Sequence, residues 1–209
     1  GGPLAGRGDR PRDRAREPLM PRAGLGTGAV VDAAAQIADS EGLEAVTLAR
    51  IARTLGVRPP SLYAHVESLG ELRERLATRG LEQLAAELGA AAAGRAATDA
   101  LRAIANAYRA YAHAHPGLYA AVQPAGRAAR ADAGERVVAI VLAVLRGYGL
   151  EGEDAIHATR AIRAALHGFA VLEADAGFGM PISVDESFDR LVDLIDRGLR
   201  PHEAGRHSV

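Results

Sequence analysis

Residues 47–66 read Thr47-Leu48-Ala49-Arg50-Ile51-Ala52-Arg53-Thr54-Leu55-Gly56-Val57-Arg58-Pro59-Pro60-Ser61-Leu62-Tyr63-Ala64-His65-Val66. Two short helices joined by a tight turn can be read from this run. Thr47 can cap a helix whose inward positions are Leu48, Ile51, Ala52 and Leu55, the spacing of a single helical face. Gly56 closes it, because a helix end favours a residue free to turn left-handed. Val57 plugs the angle. Pro59-Pro60 opens a second helix, since proline is tolerated in a first turn. Leu62 and Val66 anchor that helix, which leaves Ser61, Tyr63, Ala64 and His65 outward, with Ser61 and His65 stacked at i, i+4.

Such a pair, with its second helix able to lie in a major groove, is a helix-turn-helix. The charge pattern agrees. Between Glu44 and Glu67 stand Arg50, Arg53 and Arg58 and no acid, in a chain whose formal net charge is −1. A nucleic-acid footprint must therefore be local, with phosphate neutralisation supplying most of its affinity. Every basic residue is arginine, a permanently charged planar fork suited to phosphate and guanine.

Outward from this run the chain reads as all-α. Apolar residues make up 48% of it but aromatic ones only 4%, so alanine and aliphatic side chains must build the core. A helix capped by Thr27 precedes the pair, with Val30, Ala34, Ile37 and Ala38 inward and Gly42 at its end. Ser68-Leu69-Gly70-Glu71 is a capping box for a long fourth helix carrying Leu72, Leu76, Leu81, Leu84 and Leu88. After a small-residue break at Gly89–Ala97, helices are expected over Thr98–His113, Pro116–Val122, Asp132–Tyr148, Glu153–Ala176 and Val184–Leu199. Pro124–Arg130 reads as a loop.

The expected domains are a disordered Arg/Gly/Pro-rich arm over 1–24, a DNA-binding domain over 25–72, a helical domain over 73–200 and a flexible tail over 201–209. Met20 reads as a natural start, with residues 1–19 an upstream extension. Cysteine is absent, which excludes disulfides, thiol chemistry and cysteine-ligated zinc. No stretch approaches the roughly 20 apolar residues of a membrane span, so a soluble, cytoplasmic protein is expected.

Residues 28–76 resemble the N-terminal domain of the tetracycline-repressor (TetR) family. The shared pattern is Glu41-Gly42-Leu43-Glu44-Ala45-Val46-Thr47, then Ile51-Ala52-Arg53-Thr54-Leu55-Gly56-Val57, then Ser61-Leu62-Tyr63-Ala64-His65-Val66 and the Ser68–Leu72 helix start. The resemblance implies that Thr47 caps its helix and touches phosphate, and that Arg50 meets the backbone or a base edge. It places Arg58, Pro59 and Ser61 near bases, and Tyr63 and His65 on phosphates; Arg53 joins them through the charge pattern. Leu69 stands where family members usually carry a lysine, so one phosphate contact lacks its side-chain donor.

In the second half, polar and aromatic residues recur on helices that should be buried: Tyr108, Tyr111, His113, His115, Tyr119, His157, Arg160, Arg163, His167, Phe169 and Phe178. Together they suggest a cavity with a few polar groups. Tyr108, Tyr111, His115, Tyr119, Arg163, His167 and Phe178 are the candidate ligand residues. The segments Leu101–Gly126 and Leu166–Glu173 resemble the TetR subgroup with a WHG-type C-terminal domain, although the tryptophan behind that name is missing. Family membership implies that the last two helices pair with a second copy. The apolar stripe Phe188, Leu191, Val192 and Ile195, with Leu166, Phe169 and Ala170, is the candidate interface for this homodimer.

The resemblance thus implies a ligand-responsive repressor released from a palindromic double-stranded DNA operator by a small-molecule effector. The fourth helix runs from head to ligand domain and is the expected coupling element, with Gly70 as a pivot. No enzyme, metal or cofactor is expected. His157 follows Glu153 without a paired Glu-x-x-His, Gly24-Leu25-Gly26 follows no strand, and Ser61 and His65 lack a carboxylate to orient them. A second reading, an all-helical ligand-binding or scaffolding dimer with little DNA affinity, stays open because of Leu69 and the neutral net charge.

Overall fold

The computed structural model describes residues 26–123 and 131–200. The expected N-terminal arm, the Pro124–Arg130 loop and the C-terminal tail lie outside the described residues. Eight α-helices are described: α1 (Thr27–Glu41), α2 (Leu48–Leu55), α3 (Leu69–Ala92), α4 (Ala97–Ala114), α5 (Pro116–Val122), α6 (Ala131–Arg146), α7 (Gly152–Ala174) and α8 (Val184–Leu199). Short 3-10 segments occupy Leu43–Ala45 and Pro59–Ala64.

Local chemistry sets several of the boundaries. Thr47 Oγ1 accepts from the Arg50 N–H at 3.1 Å, and Ser68 and Ser183 cap α3 and α8 in the same way. Gly56 ends α2 in the left-handed region at φ 67°, and the Val57 N–H reaches back to the Ala52 carbonyl at 2.9 Å.

Three expectations about these elements need correction. Thr27 is the first residue of α1 and not its cap: Gly26 holds the N-cap position, and Thr27 Oγ1 donates to the His65 carbonyl at 3.3 Å. The segment opened by Pro59-Pro60 is a 3-10 turn, closed by Ser61 N–H to Arg58 O at 2.9 Å and His65 N–H to Leu62 O at 2.9 Å. Both prolines stand in the first turn, where their missing amides cost no helical bond, and the segment ends at His65 after six residues as a short 3-10 coil. In a 3-10 coil residues three apart eclipse, and Ser61 and His65 do not stack as they would at i, i+4. The fourth helix, α3, does not stop at Gly89 but runs on to Ala92, because Ala90, Ala91 and Ala92 outweigh one helical glycine.

Two large cores and one small cluster, Leu81, Val122 and Ala133, result, and α3 contributes to all three. Val30, Ile37, Val46, Ile51, Leu62, Val66, Leu72 and Leu76 fill the head, where Leu118 and Ala121 of α5 join them. Leu84 and Leu88 of the same α3 pack with Leu101, Ile104, Leu145, Leu166, Phe169, Phe188 and Val192 in the larger bundle. The seam between head and bundle therefore passes through the middle of α3 and along α5. An Arg79–Asp32 ion pair adds a surface tie between α3 and α1.

The faces of α7 and α8 differ from expectation. Leu166, Phe169, Ala170, Phe188 and Val192 are buried in the chain's own core, with Phe188 at 1% exposure, while Leu191 and Ile195 are half-buried against that core. An amphipathic stripe is satisfied by whichever apolar surface is nearest, and here the bundle itself supplies it. The exposed aliphatic residues are Ile156, Val171 and Leu172 on α7 and Leu194 on α8.

Candidate functional site

The outer face of the head is polar and solvent-exposed. Leu62 and Val66 are buried beneath it and fix the Pro59–Ala64 turn, so Pro59, Ser61 and Tyr63 project outward, Tyr63 at 59% exposure. Arg53 and Arg58 are exposed alongside, and no ion pair engages either among the described residues. His65 is only half-buried, and its carbonyl accepts from Thr27 Oγ1 at 3.3 Å, which ties the turn to the start of α1.

Arg50 is placed differently. Its Nη2 sits 2.5 Å from Glu41 Oε1, its Nε donates to Glu41 Oε2 at 3.2 Å, and its Nη1 donates to Thr54 Oγ1 at 2.9 Å. The window free of acids in sequence is not free of them in space. The hydrogen bonds from Arg50 hold the Glu41 carboxylate below its usual pKa. A phosphate approaching Arg50 must compete with a bidentate partner already in place. Glu41 is the residue that linear reading missed, because it lies nine positions upstream on α1.

In the bundle, a cavity of about 270 Å³ opens between α3, α4, α6 and α7. Leu81, Leu84, Ile104, Val137, Val141 and Ile162 give it aliphatic walls, and Tyr108, Tyr119, Gln123, Thr159 and Arg163 add its polar atoms. Of the expected ligand residues, Tyr108, Tyr119 and Arg163 therefore line it. His167 stands behind them: Tyr119 Oη lies 2.6 Å from His167 Nδ1 and 3.0 Å from Tyr108 Oη. Burial, with the nearby Arg163 charge, lowers the His167 pKa and keeps the ring neutral.

Tyr111, His115 and Phe178 are not in the cavity wall. Tyr111 donates to the Gly80 carbonyl at 3.0 Å, and Phe178 packs on Phe169 with ring centres 4.8 Å apart. His115 Nδ1 lies 3.1 Å from Asp39 Oδ2 at the head–bundle seam. All three are committed to the fold. The aliphatic lining that replaces them carries no sequence signal distinguishing a cavity wall from an ordinary core position.

Between the two sites lies α5. Asp39 Oδ1 accepts from the Gly117 and Leu118 amides, each at 2.9 Å, and so caps the helix from α1. Gly117 lies against the α1 backbone: a Cβ there would sit 2.0 Å from the Ala38 carbonyl carbon. Leu118 and Ala121 enter the head core, while Tyr119, Val122 and Gln123 face the cavity. One short helix is thus part of both. Its proline at the first position and uncapped His115 were the sequence signal that a distant cap was needed.

Among the described residues no helix is long and apolar enough to cross a membrane, and no group of three or more His, Asp or Glu side chains could hold a metal.

Comparison with known proteins matches this layout part by part. Residues 30–76 match the family described as bacterial regulatory proteins, tetR family, and residues 101–195 match the tetracyclin repressor-like C-terminal domain. The uncharacterized HTH-type transcriptional regulator YobS of Bacillus subtilis is 39% identical over 184 residues, covering 87% of this chain and 96% of its own. The uncharacterized HTH-type transcriptional regulator Rv0681 of Mycobacterium tuberculosis is 38% identical over 201 residues, covering 92% and 90%. A solved structure of a protein of unknown function from Rhodococcus sp. RHA1 shares the fold, with a TM-score of 0.74 at 24% identity over 87% of this chain and all of its own. The chain belongs to the TetR family of helix-turn-helix transcriptional regulators.

Proposed function

We propose that this protein is a dimeric repressor that binds a palindromic operator through Arg53, Arg58, Pro59, Ser61, Tyr63 and the Thr47 helix start, and releases it when a small molecule fills the bundle cavity. The observation that carries this reading is the position of α5, which lines the cavity on one side and completes the head core on the other. A molecule pressing on Tyr119 and Val122 shifts Leu118 and Gly117, and through them α1 and the recognition turn. The second subunit docks on the exposed aliphatics of α7 and α8 (Ile156, Val171, Leu172 and Leu194) rather than on the buried stripe. A competent dimer sets its two recognition turns about 34–36 Å apart, one turn of B-DNA.

A second reading is favoured by one observation. The Glu41 clamp on Arg50, together with Leu69 at the start of α3, leaves few free donors for phosphate, as a helical ligand-binding dimer with little DNA affinity would have. Selection from a random duplex library separates the two. The repressor reading expects an enriched inverted repeat whose affinity falls steeply with salt and depends on Arg58 and Ser61 for base preference. A library that stays random after repeated rounds sinks it and leaves the second reading.

A further inference from the structure

Among the described residues, the cavity walls hold one charged side chain, Arg163, and no carboxylate. On α7 the positions one turn away from it are Thr159, Arg160, Leu166 and His167, so its own helix offers no acid. Among the described residues it forms no ion pair, whereas Arg79, Arg102, Arg109 and Arg136 each meet a carboxylate. A guanidinium cannot neutralise itself by losing a proton. Exposed at the cavity rim, it keeps its charge by staying in water. A neutral apolar ligand closing that rim would strip the cation of water with nothing in return, while an anionic one would pair with it.

A second donor stands beside it. The neutral His167 can carry its proton on Nδ1 and donate to Tyr119 Oη, which then donates to Tyr108 Oη and leaves the Tyr108 proton free for the cavity. Arg163 lies close enough for its charge to act on both tyrosines. The space, about 270 Å³, is that of a small molecule and far exceeds what one or two waters need.

We propose that the effector is a small amphipathic anion, with an apolar chain or ring body in the aliphatic cavity and a carboxylate accepting hydrogen bonds from Arg163 and Tyr108. This rests on the cavity being the effector site. The apolar body is held by Leu81, Leu84, Val137 and Ile162, and the head group lies at the rim, where Arg163 gives charge selection that the walls cannot.

Calorimetric titration of the full chain with sodium octanoate, 1-octanol and octylamine tests it. These probes share a tail and differ in the head. Octanoate is expected to bind at least about tenfold tighter than octanol, as one charge-assisted contact allows, and octylamine weakest. In R163Q the octanoate advantage should fall to within about threefold while octanol binding holds; R163K should retain part of it. Y108F should cost octanoate severalfold and octanol little. Because Arg163 has no ion-pair partner among the described residues, the unliganded melting temperature of R163Q should match the wild type. Equal binding of octanoate and octanol, or a preference that survives R163Q, overturns the anion assignment and leaves the cavity as an apolar effector site. If no probe binds, or if V138W at the rim leaves all three affinities unchanged, the cavity reading falls with it.

Discussion

Two arginine sites, one inside the bundle and one on the outer face of the head, use the same cation in opposite ways. In the bundle Arg109 is sunk between Glu173 and Asp185, 64 and 76 positions away in sequence, with its guanidinium 4.8 Å from the centre of the Phe188 ring. Its positive charge, two carboxylates and two aromatic faces close on one another and bind α4 to α7 and α8. In the head Arg53 and Arg58 stand in solvent on short elements whose partners are close in sequence. Arg163 departs from this in the bundle, with no ion pair among the described residues, and Arg50, Arg73 and Arg79 depart from it in the head, where they meet Glu41, Glu44 and Asp32. The contrast teaches that an arginine's role depends on whether the surrounding fold supplies its anion. Where it does, the residue is structural; where it does not, the anion must come from outside.

The boundary between the regions is the place to break this contrast hardest. Gly117→Ala would put a Cβ 2.0 Å from Ala38 C and 2.5 Å from Asp39 N, both backbone atoms that cannot swing aside. Overpacking of that kind should cost about 3 kcal/mol in urea unfolding. A loss under about 1 kcal/mol would mean that α1 and α5 separate easily and that the coupling route is wrong.

Next is the closed network. Arg109→Ala strands the Glu173 carboxylate and should cost about 2–3 kcal/mol, below a fully buried pair because Asp185 reaches solvent. The acid limb of stability provides a separate check. Hydrogen bonding from Arg109 holds Glu173 at about 2, against the usual 4.5, with His113 helping and burial opposing. A carboxylate depressed in the folded state stabilises above its unfolded pKa and loses that contribution as pH falls toward its folded one. Wild-type stability should therefore drop between about pH 4.5 and 2, and Arg109→Ala should flatten that drop. Asp196 sharpens the same window: burial pushes its pKa up, but hydrogen bonds from Thr98, Tyr148 and Arg200 outweigh it and set the value at about 2. An unchanged acid limb in the variant would show that Arg109 does not govern Glu173.

In the head the expected changes are smaller. Glu41→Gln releases Arg50, so duplex affinity should rise and its salt slope steepen by about one counterion. Arg53→Ala should make the slope shallower by about one, and Arg50→Ala should change it less than Arg53→Ala does. Equal slopes for Arg50→Ala and Arg53→Ala in fluorescence anisotropy would show that the Glu41 clamp opens at no cost on binding. Smallest is Gly70→Ala. The new Cβ would meet only Ser68 Oγ at 3.5 Å, an ordinary contact. Thermal unfolding should show a gain of up to about 1 kcal/mol. Operator affinity that also changes several-fold would mark Gly70 as the pivot of the head.

Sequence alone determined what depends on neighbours within a few positions. The caps at Thr47 and Ser68, the left-handed stop at Gly56 and the outward set Ser61 and Tyr63 all follow from contacts one helical turn long. Their chemistry is therefore written in the order of residues. The proline pair at Pro59 and Pro60 marked where that segment opens, but not that it would form a 3-10 coil rather than the helix expected there. Tertiary structure decided what depends on residues brought together from afar. It set Glu41 on Arg50, Asp39 on the amides of α5, and Phe188 and Val192 inward where an interface was expected. It also chose which tyrosines face the cavity. An apolar stripe shows that a face must be covered but not by what, and an arginine shows a charge but not whether the fold supplies its partner. Both answers come from the packing of α3, α5, α7 and α8 against one another.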